Sequence, residues 1–467
     1  MKNLKSTLIL ENLKNNMLLN VRKYIRSVLS DISDMKVNSL FPCWILLFLL
    51  VFLLLPREGL GKIYIDINSP SMRKFMIAVP DFRNLSNHKE HPELAIGLPK
   101  VVSNDLDLSG YFTPMSKEAF LADTSSSQEG IRFKDWSVIG AELLLKGSYT
   151  CVGRSLEVEI RLFDVFWGRQ IMGKRVLGTV GRSRLLMHRL SNDIIRTLTG
   201  HRGIFLSKLG FIGTASGHKE LYICDYDGHN SRQITRDRSI TLLPRWSPDG
   251  RRIAYTSYKD GSPMLYVKDI GSGIVKRISA RSGLNTGGAW SPDGSRLAAT
   301  LSTKGNSDIF LIDLNGKIQK RLVSHWGIDV SAYFSPDGNR LAFVSSRSGS
   351  PQVYCLDLLT RRTKRLTFEG NYNSSPSWSA LNRIAFVSLE NGLFDIYTMN
   401  MEGGGLKRLT ENQGNNEDPC WSPDGRYIVF SSNRDGRYHL YLMNSNGQNQ
   451  RRITFFNGDQ TAPSWSH

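Results

Sequence analysis

Cysteine is scarce in this chain and scattered. Five occur in 467 residues (Cys43, Cys151, Cys224, Cys355 and Cys420), and no two form a CxxC pair. That excludes a zinc ribbon and a disulfide framework and leaves small buried thiols as the expectation. No Gly-x-Ser-x-Gly elbow occurs, so an α/β-hydrolase nucleophile has no place to sit. His88, His91, His188, His201, His218, His229, His325 and His439 show no metal-ligand spacing. Acidic residues are in deficit, 42 against 60 basic ones, for a formal net charge of +18. Such a balance raises the question of an anionic partner. The length is too great for one core and points to two or three domains.

What the chain has in plenty is a repeat. Trp246-Ser-Pro-Asp-Gly250 returns at Trp290–Gly294, at Phe334–Gly338 and at Trp421–Gly425, with reduced copies at Trp378-Ser379 and Trp465-Ser466. The steps are 44, 44, 44, 43 and 44 residues, the period of a β-propeller blade. Each repeat carries four strand signals, the last of them basic, as in Thr363-Lys364-Arg365-Leu366-Thr367. Five full units begin at Trp246, Trp290, Phe334, Trp378 and Trp421. Phe211–Thr235 supplies three more strands, and Ala462–Ser466 supplies the first strand they lack. Joined, these remnants make a sixth blade and close the ring. The predicted fold is an all-β six-bladed propeller of the WD40-like type over 201–467, preceded by a smaller α+β domain over 62–200.

Ahead of these lies Leu40–Leu55, uncharged and almost wholly apolar. It has the length of a signal-peptide core and is short for a spanning helix. Gly59 and Gly61 follow it, and Met35-Lys36 precedes it. Residues 1–34 therefore read as a misassigned extension and 35–61 as a signal peptide, with export to the periplasm. In the α+β domain, Ile63–Ile67 and Lys74–Pro80 read as strands and Pro92–Leu108 as a helix distorted at Pro99. Ala122–Gly130 reads as a polar loop and the surroundings of Trp136 as a short helix. Glu142–Val152, Ser155–Val165 and Gln170–Leu177 read as strands, and Arg182–Thr199 as a helix closed by Gly200.

The Ser-Pro-Asp-Gly copies read as turns, with proline presetting the first angle, Asp bonding nearby amides and Gly relieving the exit. Arg232, Lys276, Arg277, Lys320, Arg321, Lys364, Arg365, Lys407, Arg408, Arg451 and Arg452 all fall in fourth strands. Charge on an outer edge strand blocks edge-to-edge pairing. A nucleic-acid reader would instead gather it into a stripe with interleaved aromatics, so none is expected.

The α+β domain, the join Leu198-Thr199-Gly200, the segment Asp225-Tyr226-Asp227-Gly228 and the Trp-Ser-Pro-Asp-Gly propeller together resemble the TolB family over about residues 62–467. The resemblance implies a periplasmic, monomeric, non-enzymatic scaffold of the Tol–Pal system, with no cofactor, no metal and no catalytic residue. It implies that the propeller mouth binds the peptidoglycan-associated lipoprotein Pal. The segment Lys62–Asn68, with Lys62, Ile63, Tyr64 and Ile65, would meet the inner-membrane Tol proteins. The implied roles are outer-membrane integrity and invagination at division, and assistance to bacteriocin import. Matching the mouth loops position by position gives Thr241, Asn285, Asp329, Asn373, Glu417 and Gln460 as partner-binding residues. The chain departs from the family at Leu284, where histidine is frequent, and in the blade that lacks Pro-Asp-Gly. The alternative class is a propeller enzyme, a calcium-dependent lactonase or a peptidase-associated propeller, for which Glu417 and Asp418 are the inward-facing acids to inspect.

Overall fold

The computed structural model describes residues 73–87, 89–120, 130–303 and 305–466. The extension, the signal peptide, the strand at Ile63–Ile67 and nearly all of the polar loop at 122–130 lie outside those residues. In the N-terminal domain, β1 (Phe75–Ala78), β2 (Arg83–Asn84), β3 (Phe112–Pro114), β4 (Leu143–Val152), β5 (Ser155–Asp164) and β6 (Arg169–Thr179) form one sheet. Its order is β3-β1-β4-β5-β6, with β2 beside β4. In β5, Leu156, Val158, Ile160 and Leu162 are buried while the residues between them face outward, as alternation on a one-sided sheet requires. Two long helices, α1 (Leu94–Leu108) and α3 (Ser183–Thr199), pack side by side, with the short α2 (Phe133–Val138) between them in sequence. Pro99 lies inside α1, and Gly200 ends α3 at φ 76, the left-handed exit that glycine makes cheap.

The remaining described residues form six four-stranded sheets, here numbered as blades 1–6 with strands a to d from the centre outward. Blades 1–5 begin at Thr241, Asn285, Asp329, Asn373 and Asn416. Blade 6 takes strand a from Gln460–Trp465 and strands b to d from Lys208–Gly213, Glu220–Asp225 and Arg232–Gln233. Gln460 pairs with Gly213 and Trp465 with Leu209. Lys208 N and Ser466 Oγ add a bond of 2.8 Å. The ring is thus closed by residues as far as 258 positions apart, in the sixth blade expected from the repeat remnants.

The repeated pentapeptide builds the turn from strand a to strand b. In blade 2, Ser291 Oγ donates to Asp293 Oδ1 at 2.5 Å, and Ser295 N donates to the same oxygen at 3.0 Å. Gly294 takes φ 67. Where blade 4 lacks Pro-Asp-Gly, Asn382 takes φ 56 in the glycine's place, a conformation asparagine tolerates. The aromatic residue before the turn fills the gap between blades. Trp290 packs against Ala254, Leu265 and Val267 of blade 1, and its Nε1 donates to Arg245 O at 3.0 Å.

Two further devices join neighbours. The glycine in the turn from strand c to strand d lies against the strand d before it. A Cβ on Gly316 would stand 2.0 Å from Ile278 O, and one on Gly228 would stand 1.7 Å from Ile453 O. The basic fourth strands also do more than repel. Lys276 Nζ reaches Asn315 Oδ1 at 2.6 Å, Lys364 Nζ reaches Glu402 O at 3.0 Å, and Lys407 Nζ reaches Asn446 O at 2.9 Å, each in the following blade.

Because each blade buries its faces only against its neighbours, removing the last strand a exposes both sides of the seam. Trp465→Ala should cost about 3–5 kcal/mol in urea unfolding, and deletion of residues 460–467 should lower the midpoint further. An unchanged midpoint in both variants would mean that the seam does not carry the ring.

Candidate protein-binding face

Every strand a opens with a polar residue that is at most 1% exposed: Thr241, Asn285, Asp329, Asn373, Asn416 and Gln460. Four of them bond the blade before. Asn285 Oδ1 accepts from Ser279 Oγ at 2.6 Å, and Asn373 Nδ2 donates to Gln352 Oε1 at 3.0 Å. Asn416 Nδ2 donates to Asp395 Oδ1 at 3.1 Å, and Gln460 Oε1 meets His439 Nδ1 at 2.6 Å. Two residues further on, each strand carries a bulge at a residue with positive φ: Leu243, Gly287, Ser331, Ser375, Asp418 and Ala462. Five of these are not glycine, and each such residue costs on the order of 1–2 kcal/mol in isolation. The ring tolerates the cost because the clamps on either side over-determine the backbone there.

The sequence placed partner contacts at Thr241, Asn285, Asp329, Asn373, Glu417 and Gln460. The structure buries five of these side chains, and Asn285, Asn373 and Gln460 bond the preceding blade. Glu417 is out of step by one, since Asn416 holds the equivalent position. Its side chain lies half-buried with Oε1 accepting from Tyr438 OH, and burial pushes its carboxyl up. Lys62, Ile63, Tyr64 and Ile65 lie outside the described residues.

The groups a visitor would meet are one residue earlier, at Ile240, Leu284, Ile328, Tyr372, Asn415 and Asp459. Their carbonyls accept from Tyr258, Ser302, Ser346, Leu389, Asn433 and Thr214 at 2.9–3.2 Å, fixing the six loops alike. Ile240, Ile328 and Tyr372 are 47%, 56% and 38% exposed, with Trp326 beside them at 73%. Four consecutive blades thus present an apolar arc around the mouth and two present polar groups. Contiguous exposed apolar groups within a polar rim are the mark of a protein-binding patch.

The other end of the ring is partly covered. The last turn of α1 and the residues after it, Asp105–Tyr111, dock on blades 5 and 6. Tyr427 OH donates to Ser109 O at 2.6 Å, and Arg451 Nη1 donates to Asp107 Oδ2 at 2.8 Å. Acidic residues at a helix C-terminus oppose the helix dipole; here they are used across the domain junction. Tyr226, in the turn Asp225–Gly228, donates its hydroxyl to Asp105. His188 Nδ1 lies 2.9 Å from Asp105 Oδ2, and its Nε2 lies 3.8 Å from Asp227 Oδ2. These three groups are close enough to share a metal ion. Arg184 Nη2 already donates to Asp227 Oδ2 at 2.5 Å, and with the contacts of His188 and Tyr226 to Asp105 this ion pair makes one set that fastens α3 to blade 6. Histidine spacing could not have found it, because its members come from three separate elements.

Residues 195–467 match the family model described as TolB beta propeller domain, and residues 63–171 match that described as TolB amino-terminal domain. The chain belongs to the TolB family. It is 29% identical to the crystal structure of TolB from Acinetobacter baumannii, at a TM-score of 0.75 over 84% of this chain and 97% of that one. It is 40% identical over 224 residues to the Tol-Pal system protein TolB of Desulfosudis oleivorans, which is 47% of this chain and 51% of that protein. With the same-named protein of Syntrophus aciditrophicus it shares 36% identity over 214 residues, 44% of this chain and 47% of that protein. The chain spans about half the length of the curated relatives it matches.

In this TolB-family chain the channel is dominated by tryptophans near the pentapeptide turns. A cavity of ≈ 330 Å³ there is lined by Arg245, Trp290, Tyr333, Trp378, Cys420 and Trp465, among others. Asp418 projects nearby with Ser375 Oγ donating to its Oδ1 at 3.2 Å. Burial raises its carboxyl pKa, against the pull of Arg245.

Two tests follow from the domain junction. Tyr226→Phe leaves a buried carboxylate short of a donor and should cost about 1–3 kcal/mol in denaturant unfolding. Asp424, beside Tyr111 and Tyr427, has its carboxyl pushed up by burial, whereas the Ser291 hydroxyl holds Asp293 down in an open turn. The folded chain keeps the Asp424 proton longer than the unfolded chain, so this group favours folding on acidification and opposes it as pH rises past the raised value. Asp424→Asn should therefore gain stability relative to the parent as pH rises from 4 to 7 (roughly, the carboxylate titration range). Asp293→Asn should lose stability relative to the parent mainly as pH rises from about 2 to 4, up to the unfolded carboxylate value. Parallel pH–stability curves for both variants and the parent would overturn this assignment.

Proposed function

We propose that this chain is the TolB component of a Tol–Pal system, a non-enzymatic scaffold in the periplasm. The open loop face of its propeller would bind a peptidoglycan-associated lipoprotein of the Pal type. The observation that carries this reading is the apolar arc of Ile240, Leu284, Ile328 and Tyr372 around a mouth whose backbone is fixed six times over. The buried polar residues behind it, Asn285, Asp329, Asn373 and Gln460 among them, then act by holding the loops in place. Thr241 and Glu417 belong to the same rim. The names of the relatives support membership of the Tol–Pal system.

On this reading the segment Lys62–Ile65, ahead of β1 in sequence, meets inner-membrane Tol proteins. The assembly sustains outer-membrane integrity during division and is open to use by bacteriocins. No helix among the described residues is long and apolar enough to cross a membrane. On this reading the leader at 35–61 directs export and the chain works as a monomer.

The deciding measurement is calorimetric titration of the chain with the soluble domain of a peptidoglycan-associated lipoprotein from the same organism. Ile328→Asp should weaken binding at least about tenfold, as expected for a charge set into the apolar centre of an interface. Leu359→Asp, at a more exposed apolar residue in a strand c to strand d turn on the other end of the ring, should leave it unchanged. Equal effects of the two substitutions, or no binding by the parent, would remove the reading.

A further inference from the structure

The junction of blades 2 and 3 departs from the repeat at three positions. The first is Phe334, which stands where five copies carry tryptophan. Trp290 and Trp421 send their indole nitrogens to the preceding strand a, at Arg245 O (3.0 Å) and Ser377 O (3.1 Å). Arg252 lies over the Trp290 ring, 4.9 Å from its centre. A phenyl ring is smaller, has no nitrogen to send and is a poorer seat for a guanidinium. Arg296, one repeat beyond Arg252, pairs instead with Asp293 of its own turn at 3.5 Å.

The other two departures lie in the strand c to strand d turn of blade 3. Gly316, Gly403, Gly447 and Gly228 sit against the carbonyls of Ile278, Leu366, Leu409 and Ile453 in the strand d before them. The matching carbonyl, Leu322 O, is met by a side chain: Arg361, at φ 62, donates to it from Nη2 at 2.9 Å. The turn is thus set back from strand d by the length of an arginine side chain. Leu359 holds the repeat position of Asn315, Glu402 and Asn446, the residues to which Lys276, Lys364 and Lys407 reach. It is 89% exposed. Lys320, the lysine of this junction, has no hydrogen bond or ion pair among the described residues.

The result is a groove. A cavity of ≈ 410 Å³ opens between the two blades, with Leu311, Leu322, Phe334 and Leu358 as apolar walls, a size typical of small-molecule sites. Arg296, Lys320 and Arg361 line it as well, and Lys320 pairs in register with Leu311. Asp293 and Asp337 belong to the same wall, but each is engaged in its own turn. Asp293 accepts from Ser291 and Ser295, and Asp337 accepts from Ser335 and Asn339. Lys320 is the charge left over, a cation beside an apolar hollow.

We propose that this groove binds an acyl carboxylate, the anion of a single-chain fatty acid. The chain would lie against Leu311, Leu322, Phe334 and Leu358, and the carboxylate would take Lys320, with Arg296 as the second cation of the same wall. Charge complementarity selects an anion, and a charge-assisted bond to the ammonium is the stronger for standing next to apolar surface. The walls are mostly aliphatic, which suits an acyl chain better than a flat ring. The site lies at the Ser-Pro-Asp-Gly end of the ring, so the inference stands independently of the partner assigned to the mouth. No pattern along the chain marks it, because its walls come from two blades and each departure looks minor in its own repeat.

The test titrates the whole chain calorimetrically with sodium octanoate below its micellar range. Octylammonium chloride and sodium acetate are separate arms, one carrying the chain with the opposite charge and the other the carboxylate without the chain. The parent should bind octanoate saturably at one site and bind neither of the others measurably. Lys320→Glu, at an exposed position, sets a like charge beside the carboxylate and should weaken octanoate binding at least about tenfold. Phe334→Trp restores the indole of the repeat, so it should fill the groove and remove binding while the thermal midpoint stays at or above the parent's. If that variant folds poorly, Lys320→Glu still decides. No saturable binding by the parent, binding of octylammonium or acetate as tight as that of octanoate, or octanoate binding unchanged in Lys320→Glu overturns the proposal. So does octanoate binding retained by a folded Phe334→Trp, which would place the chain outside this groove.

Discussion

The pairing of Gln460–Trp465 with Lys208–Gly213 is the constraint on which the rest of the structure depends. A blade cannot bury both of its faces alone; each needs a neighbour on either side, and only a closed ring gives every blade two. Closure also fixes the curvature, and curvature sets how closely the six strands a approach one another. The tryptophans, the glycines of the strand c to strand d turns and the lysines that reach into the next blade all act across junctions that exist only because the ring is complete. The N-terminal domain depends on it too. Asp105 and Asp107 dock on Tyr226, which lies in blade 6 between the two closing segments in sequence, and on Arg451 of blade 5.

The two ends of the ring are put to different use. At one, short turns of Ser-Pro-Asp-Gly type satisfy their own polar groups, and the α+β domain covers part of the surface. At the other, loops between strand d and the next strand a are held from below by buried side chains and from the side by backbone bonds. Such loops can vary in what they display without loss of position, which is the arrangement expected of a recognition surface on a rigid scaffold. The strained residues at Leu243, Ser331, Ser375, Asp418 and Ala462 fit the same picture, with backbone strain concentrated at the bulges of strands a and held by the clamps around them.

Much of this was legible in the residues. A step of 44 residues with one step of 43 gives the blade count, and the orphan strands at the two ends of the repeat region give the closure. The alternating pattern of Leu156–Leu162 and the fourfold spacing of Leu186, Leu190, Ile194 and Leu198 give a strand and a helix where the structure has them. The candidate face was legible only as a region. Thr241, Asn285, Asp329, Asn373 and Gln460 were chosen as contacts from the repeat alone, and the pleat buries those five side chains. Glu417 was displaced from Asn416 by the single repeat that is one residue shorter. The junction of Asp105, His188 and Asp227 was not legible at all, because no local pattern links α1, α3 and a propeller turn.

By itself the sequence determined what repeats: the period, the turn chemistry, the six blades and the basic outer strands, all of which follow from local rules applied again and again. Tertiary structure decided what does not repeat. It set which end of the ring is covered and which polar residues are clamps rather than contacts. The reason is physical: hydrogen-bond partners across a blade junction are chosen by closure and packing, and those bring together residues that no window along the chain contains.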